Sequence, residues 1–89
     1  MLLITFKKEE LIQVSFKAAI STIKLDKIIN NEKVFLKIDD EPKEISYNES
    51  LNLRINGKKY SIYLNKTTNT SCVLSFNASR EIVIIRSKD

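Results

Sequence analysis

The sequence predicts a mainly β fold, a small antiparallel sheet or barrel that carries one short helix and forms a single domain, residues 1–89. Two observations support this fold class. Apolar residues, many of them β-branched or aromatic, alternate with polar ones in several short runs, and this spacing places apolar side chains on one face of a strand. Asn56-Gly57 separates two of these runs. It is a strong hairpin signal because both central residues of a type I′ turn have positive φ.

The predicted strands follow one another along the chain, with polar turns between them. Strands are predicted at residues 1–6, 11–16, 34–38, 43–47, 51–55, 60–64, 72–76 and 82–85. Turns are predicted at residues 7–10, 39–42 and 66–70, where charged or turn-forming residues cluster. In the second strand, Ile12, Val14 and Phe16 form one apolar face. The last two runs, 72–76 and 82–85, are interpreted as a strand pair that closes the chain.

The stretch from residue 17 to residue 31 fits two structures. Leu25, Ile28 and Ile29 fall at helical spacing, and polar residues at both ends of the stretch are suited to cap a helix. A strand that runs through Ile23 and Leu25 is the alternative. We predict a short helix near residues 20–30, inserted between the strands.

Composition excludes several classes of protein. The chain has no histidine, one cysteine and one glycine, which excludes ordinary zinc sites, phosphate-binding glycine loops and histidine-based catalytic triads. A pair of carboxylates acting as acid and base is not excluded by composition, but Glu9-Glu10 and Asp39-Asp40-Glu41 are interpreted as solvated turn charges. We therefore expect neither an enzyme nor a bound cofactor or metal ion. The net charge of +4 favours an anionic partner, but only weakly, because eleven acidic residues are interspersed.

The same composition indicates a cellular setting. Cys72 lies in an apolar strand and is expected to be a small core residue without a disulfide partner. A lone cysteine fits a reducing compartment. There is no apolar run long enough to span a membrane and no secretion signal. We therefore expect a cytoplasmic protein that makes no contact with a membrane.

Two blocks of the chain carry a more specific pattern. The first block, residues 1–14, reads M-L-L-I-T-F-K-K-E-E-L-I-Q-V. The second block, residues 57–86, contains G-K-K-Y-S-I-Y-L at 57–64 and C-V-L-S-F-N-A-S-R-E-I-V-I-I-R at 72–86. These stretches resemble M-L-I-L-T-R-R-x-G-E-x-I-x-I, G-D-x-I-x-V-x-V and V-R-I-G-V-x-A-P-K/R-E-V-x-V-H-R of the CsrA/RsmA family of carbon storage regulators. The resemblance covers about half of the chain. An insertion near residues 15–56 separates the two blocks.

The insertion itself is open to two interpretations. One branch of the family, the RsmN type, carries a helical insertion between strands two and three, and its approach to that helix is similar to residues 12–18, I-Q-V-S-F-K-A. Residues 34–46 also look like the family's V-R-I-G-V-x-A-P-K-E-V-x with one extra residue, and residues 48–53 echo G-E-x-I-x-I. The chain is therefore either an elaborated CsrA-like domain with extra strands or a degenerate fused repeat, a pseudo-dimer.

The resemblance implies a function. Family members are interlocked homodimers in which strands one and five of different chains lie side by side and bind RNA hairpins with GGA in the loop. For this chain, the resemblance implies a bacterial post-transcriptional regulator of translation. Such a regulator would bind messenger RNA leaders or small RNAs, as a homodimer or pseudo-dimer. Arg86 is similar to the family's key RNA arginine, and a planar guanidinium suits both phosphate and guanine. The other family contact positions correspond to Ile4, Thr5, Lys7, Ala78, Ser79, Arg80, Ile84 and Ile85.

Several residues depart from the family pattern. Phe6 and Val73 stand where the family has arginines, and Ile85 stands where it has the histidine before Arg86. The loss of basic residues weakens phosphate neutralisation, which supplies much of the affinity of such complexes. An alternative function is therefore a protein-binding module, a diverged paralogue that pairs with a conventional CsrA protein or another partner and modulates it.

Overall fold

The protein is a sandwich of two antiparallel sheets, described for residues 2–88 by a computed structural model. Met1 and Asp89 lie outside the described residues, so the predicted first strand is observed from Leu2 onward. The strands are β1 (Leu2–Lys7), β2 (Glu10–Phe16), β3 (Ala19–Asn30), β4 (Lys33–Ile38), β5 (Glu41–Ser46), β6 (Ser50–Ile55), β7 (Lys58–Thr67), β8 (Ser71–Asn77) and β9 (Val83–Lys88). One sheet has the order β1-β8-β7-β6 and the other β5-β4-β3-β2-β9. The mainly β prediction is confirmed.

The predicted helix near residues 20–30 is wrong, because these residues belong to the 12-residue strand β3. Ser21, Ile23 and Leu25 alternate toward the core, and β3 pairs with β2 on one side and β4 on the other. A register shift between Leu25 and Lys27 marks a bulge. The extra residue of a bulge interrupts the two-residue period, so Leu25 and Ile28 both pack toward the core although three positions separate them. A bulged strand thus imitates helical spacing.

The predicted turn at residues 39–42 is shorter than expected. Asp39 and Asp40 form it, with φ values of 52° and 67°, while Glu41 and Pro42 already belong to the edge strand β5. Proline is tolerated there because an edge strand leaves half of its backbone groups unpaired. The predicted hairpin turn at Asn56-Gly57 is confirmed by φ values of 47° and 81°.

The two closing strands do not pair with each other, contrary to the sequence-based interpretation. Strand β8 lies between β1 and β7 in the four-stranded sheet, whereas β9 pairs with β2 at the edge of the five-stranded sheet. Between them, Ile82 is buried in the core. The segment from β8 to β9 therefore carries the chain from one sheet to the other across the end of the core.

Both sheets bury their apolar faces in one core. Phe6, Ile62 and Phe76 come from the four-stranded sheet, and Ile12 and Ile23 from the five-stranded sheet. The predicted apolar face of the second strand is confirmed, since all three of its residues are buried. Cys72 is also buried, as predicted, and burial raises the pKa of its thiol to about 12. The thiol is therefore protonated and unreactive at neutral pH.

The two sheets are built on the same plan. Strands β2-β3-β4 and β6-β7-β8 are both antiparallel meanders, and each begins with a two-residue turn whose first residue has positive φ, Lys17 and Asn56. The central strand of each has a register shift at the corresponding place, which leaves Asp26 and Asn65 as the extra residues, and β3 has a second shift between Ile28 and Asn30. Strand β1 flanks β8, and β5 flanks β4. Strand β9 flanks β2, but β6 has no such neighbour within residues 2–88.

The extra residues of the two bulges also make corresponding contacts. Asn65 Oδ1 accepts a hydrogen bond from Ser75 Oγ at 2.6 Å, and Asp26 Oδ1 lies 4.0 Å from Lys37 Nζ. In each case the partner is one residue beyond the central leucine of the following strand, Leu74 or Leu36. The two halves therefore share a detail that strand order alone does not require.

Tyr60 is buried in the core, and its phenol should make the fold sensitive to alkaline pH. Burial raises the pKa of Tyr60 above its ordinary value of 10.0, because an ionised phenolate is poorly solvated there. A group whose pKa is higher in the folded state loses its stabilising contribution as pH rises through that value. We expect the free energy of unfolding of the wild type to fall above about pH 10 more steeply than that of Tyr60→Phe.

Urea unfolding at neutral and at alkaline pH measures this difference. Tyr47→Phe is the matched control, because it makes the same substitution at an exposed position. Cys72 contributes equally to all three proteins. Equal slopes for wild type and Tyr60→Phe would contradict the burial of an unionised phenol.

Candidate functional site

The first and last strands are linked where Arg86 of β9 contacts Thr5 of β1. We call the surface around this contact, between the two sheets, the seam. Both β1 and β9 are edge strands, each of a different sheet. Arg86 of β9 donates a hydrogen bond from Nη1 to the carbonyl oxygen of Thr5 at 2.7 Å. Arg86 lies opposite the buried Ile12 in the ladder with β2, and directly opposed residues share one face of a sheet. Its side chain therefore leaves β9 on the core side and reaches past the sheet edge to β1.

Glu10 contacts both the turn that follows β1 and the guanidinium of Arg86. Its Oε1 accepts a hydrogen bond from the backbone N–H of Lys7 at 2.9 Å, and its Oε2 lies 3.6 Å from Arg86 Nε. The carboxylate thus ties the turn between β1 and β2 to the guanidinium. Arg86 retains 45% of its side-chain exposure, so its Nη2 group is left to face solvent or a ligand. Glu10 offsets part of the positive charge at this position.

The outer edge of β1 supplies backbone groups to the same surface. In an edge strand, every second residue directs its N–H and C=O groups away from the sheet. The Thr5 carbonyl oxygen accepts a hydrogen bond from Arg86 of the other sheet, so Thr5 is one of these outward-facing residues of β1. Leu3, Thr5 and Lys7 therefore face the seam. Ile4 is the neighbour of Thr5, so its backbone groups face the paired strand β8, where it lies opposite Leu74. Its side chain is buried. The structure thus places Ile4 in the core and Leu3, which the sequence did not single out, on the surface.

The loop before β9 forms the end of the seam. Ile82 N–H donates to the Ser79 carbonyl oxygen at 3.1 Å, and Glu81 N–H donates to Ser79 Oγ at 3.3 Å. Arg80 is exposed on this tight turn. A groove of about 290 Å³ runs between the loop and the start of β1. It is lined by Leu2, Phe76, Ala78, Ser79, Ile82 and Ile84.

Most of the residues predicted from the sequence are thereby brought together. Thr5, Lys7 and Arg86 lie on the seam, Ala78, Ser79 and Ile84 line the groove, and Arg80 lies on the adjoining loop. Ile4 is in the core. Ile85 points to the outer face of the five-stranded sheet, opposite the exposed Gln13.

An exposed apolar patch on that outer face was not predicted. Val83 and Ile85 are 50% and 53% exposed, although they belong to an apolar run. Ser15 pairs with Val83 on one side and with the exposed Ile20 on the other, so Val83, Ser15 and Ile20 form a row across three strands. Apolar residues on both faces of a short edge strand are the signal that indicates such a patch.

The residues that the structure describes contain no group of three His, Cys, Asp or Glu side chains placed to hold a metal ion. In the same part of the chain there is no helix that is long and apolar enough to cross a membrane. Comparisons with protein-family models, with curated proteins and with solved structures return no match to this chain.

The bond from Arg86 to Thr5 should stabilise the seam. We expect Arg86→Ala to lower the free energy of unfolding by about 1 kcal/mol, the net contribution of a typical intramolecular hydrogen bond. Arg80→Ala removes the same side chain from the neighbouring loop and should change stability by less than about 0.5 kcal/mol. Urea unfolding measures both variants. Equal effects of the two substitutions would show that Arg86 does not join the sheets.

Proposed function

We propose that this protein binds the single-stranded loop of an RNA hairpin at the seam between β1 and β9 and regulates translation after transcription. One observation carries the proposal: Arg86 of the last strand donates a hydrogen bond to the Thr5 carbonyl oxygen of the first strand. The CsrA resemblance implies that strands one and five of two different chains bind RNA side by side. Here a single chain supplies both strands.

We further propose that the chain is a fused pseudo-dimer. The repeated meanders, their bulges at Asp26 and Asn65 and the contacts of those two residues support an internal duplication. Strand β5 then occupies the place beside β4 that β1 occupies beside β8. On this proposal the chain keeps one complete RNA site, at the β1–β9 seam, because β6 has no neighbour corresponding to β9.

The chemistry of the seam suits an unpaired loop. Bases in a loop are splayed out and expose hydrogen-bonding edges. The N–H and C=O groups of Leu3 and the N–H of Thr5 offer complementary donors and acceptors at the strand edge, while the Thr5 carbonyl oxygen accepts from Arg86. The free Nη2 group of Arg86 is positioned for a guanine edge or a phosphate. Lys7, Lys8 and Arg80 are exposed around the seam and add the charge that draws in a phosphate backbone. The partner is a GGA-containing hairpin of a messenger RNA leader or a small RNA.

Fluorescence anisotropy with a labelled GGA-loop hairpin tests the proposal. Arg86→Ala should lower the affinity about tenfold or more, since one good guanidinium contact contributes about 1–3 kcal/mol. Arg54→Ala is the matched control, because it removes an exposed arginine from the far edge of the four-stranded sheet and should have little effect. The variants are compared at a temperature at which circular dichroism shows all of them folded.

Two further controls separate specific recognition from charge attraction. A hairpin with a scrambled loop should bind more weakly than the GGA hairpin, and the difference should persist at raised salt. Arg86→Lys keeps the charge and loses the fork of donors, so it should discriminate poorly between the two loops. Weak binding that is equal for both loops and disappears in salt would contradict the proposal.

The exposed apolar patch favours a second candidate function, binding of a protein partner. Ile20, Val83 and Ile85 expose half or more of their surface on one sheet face, and exposed apolar clusters commonly mark protein interfaces. The partner would be a conventional CsrA protein that this chain modulates. Complex formation with such a protein, together with no selective binding of the GGA hairpin, would favour this candidate over the first.

A further inference from the structure

The outer edge of β6 differs from the other three sheet edges. Strands β1 and β9 are linked by the hydrogen bond from Arg86 to the Thr5 carbonyl oxygen. Strand β5 carries Pro42, Lys43 and Glu44, and proline and charged residues on an edge strand oppose pairing with another chain. Strand β6 has no proline, and Arg54 is its single charged residue. Of the two sheet edges that lie away from the seam, the edge of β6 therefore lacks such protection among residues 2–88.

The apolar residues of β6 are incompletely covered. By their position before the two-residue turns, Leu51 and Leu53 correspond to Ile12 and Val14 of β2. Ile12 and Val14 are 0% exposed, and β9 lies alongside them. Leu51 and Leu53 face the same core but remain half-buried. A strand beside β6 would complete their burial.

The backbone of β6 also has groups to offer at this edge. Ile55 and Lys58 flank the Asn56-Gly57 turn and lie opposite each other, and residues that flank a two-residue turn exchange hydrogen bonds. Because this pattern alternates along an antiparallel ladder, Ser50, Asn52 and Arg54 direct their N–H and C=O groups away from β7. The corresponding residues of β2 lie opposite β9.

We propose that the neighbour of β6 is β6 of a second copy of this chain, paired antiparallel about a two-fold axis at Asn52. In this register Asn52 faces its own counterpart and Leu51 faces Leu53 of the other copy. Ser50 faces Arg54, so no like charges oppose each other, which would destabilise the pair. The two four-stranded sheets become one continuous sheet, and the four leucines pack together at its centre.

A second copy fits this edge because the strand is complementary to itself. A two-fold interface requires one patch that matches its own rotated image, and the order Ser50-Leu51-Asn52-Leu53-Arg54 meets this requirement about Asn52. The proposal does not rest on RNA binding. Strands β1 and β9 lie at other sheet edges, so RNA binding and dimerisation can fail independently.

Sedimentation equilibrium of the full chain without RNA tests the dimer. The wild type should dimerise, and Asn52→Lys should weaken the dimer about fivefold or more, because like charges face each other at the axis. Asn52→Asp should do the same, and an equimolar mixture of the two variants should restore association by pairing Lys with Asp. Gln13→Lys is the matched control, since Gln13 is the corresponding residue on β2, whose edge β9 occupies. It should leave the dimer unchanged.

Cysteine substitution tests the register. In a hydrogen-bonded antiparallel pair the opposed Cα atoms are about 5.5 Å apart, within the range that a disulfide bridges. Asn52→Cys should therefore cross-link two copies on mild oxidation, whereas Ser50→Cys and Arg54→Cys should not, and the buried Cys72 should stay reduced. A monomeric wild type at all concentrations, or equal cross-linking of the three variants, would overturn the proposal.

Discussion

One charged side chain joins the two sheets at the point where the first and last strands of the chain meet. The bond from Arg86 to the Thr5 carbonyl oxygen gives a partner to a backbone group that an edge strand would otherwise leave to solvent. Glu10 holds the guanidinium from the other side and also caps the turn that leads into β2. Because the strands on both sides of this seam belong to different sheets, no ladder of backbone hydrogen bonds connects them. The arrangement of the candidate site therefore depends on this small set of polar contacts.

The repeated meander explains how the molecule is organised around the seam. Each half buries the alternate residues of three strands in the common core, and each carries its bulge at the same place in the central strand. The two meanders have four outer edges, at β2, β4, β6 and β8. Strands β9, β5 and β1 pair with β2, β4 and β8, and β6 has no such neighbour among residues 2–88. On the fused-repeat proposal, this asymmetry accounts both for a single RNA site and for an edge available to a second copy. The two surfaces lie at different sheet edges, so each can be occupied without obstructing the other.

Local sequence pattern predicts strands and turns that depend on neighbouring residues. It fails for features that depend on pairing between strands distant in the sequence. The alternation of Ile12, Val14 and Phe16 and the Asn56-Gly57 turn are observed as expected. The strand through Ile23 and Leu25 was mistaken for a helix because its bulge produces three-residue spacing. The closing strands were expected to pair because they are adjacent in sequence, yet Ile82 enters the core and carries the chain to the other sheet. Arg86 and Thr5 were singled out through the CsrA resemblance, whereas Glu10 and Leu3 required the structure.

The proposed binding of RNA at the β1–β9 seam should be visible at individual backbone amides. Chemical-shift mapping of the isotope-labelled protein during titration with a GGA-loop hairpin tests it most directly, because each backbone amide reports its own position. Binding at the seam should give the largest shifts at Leu3, Thr5, Ser79 and Arg86 and should leave β5 and β6 almost unaffected. Shifts concentrated on β5 or β6, or small shifts spread evenly over the lysines, would contradict it.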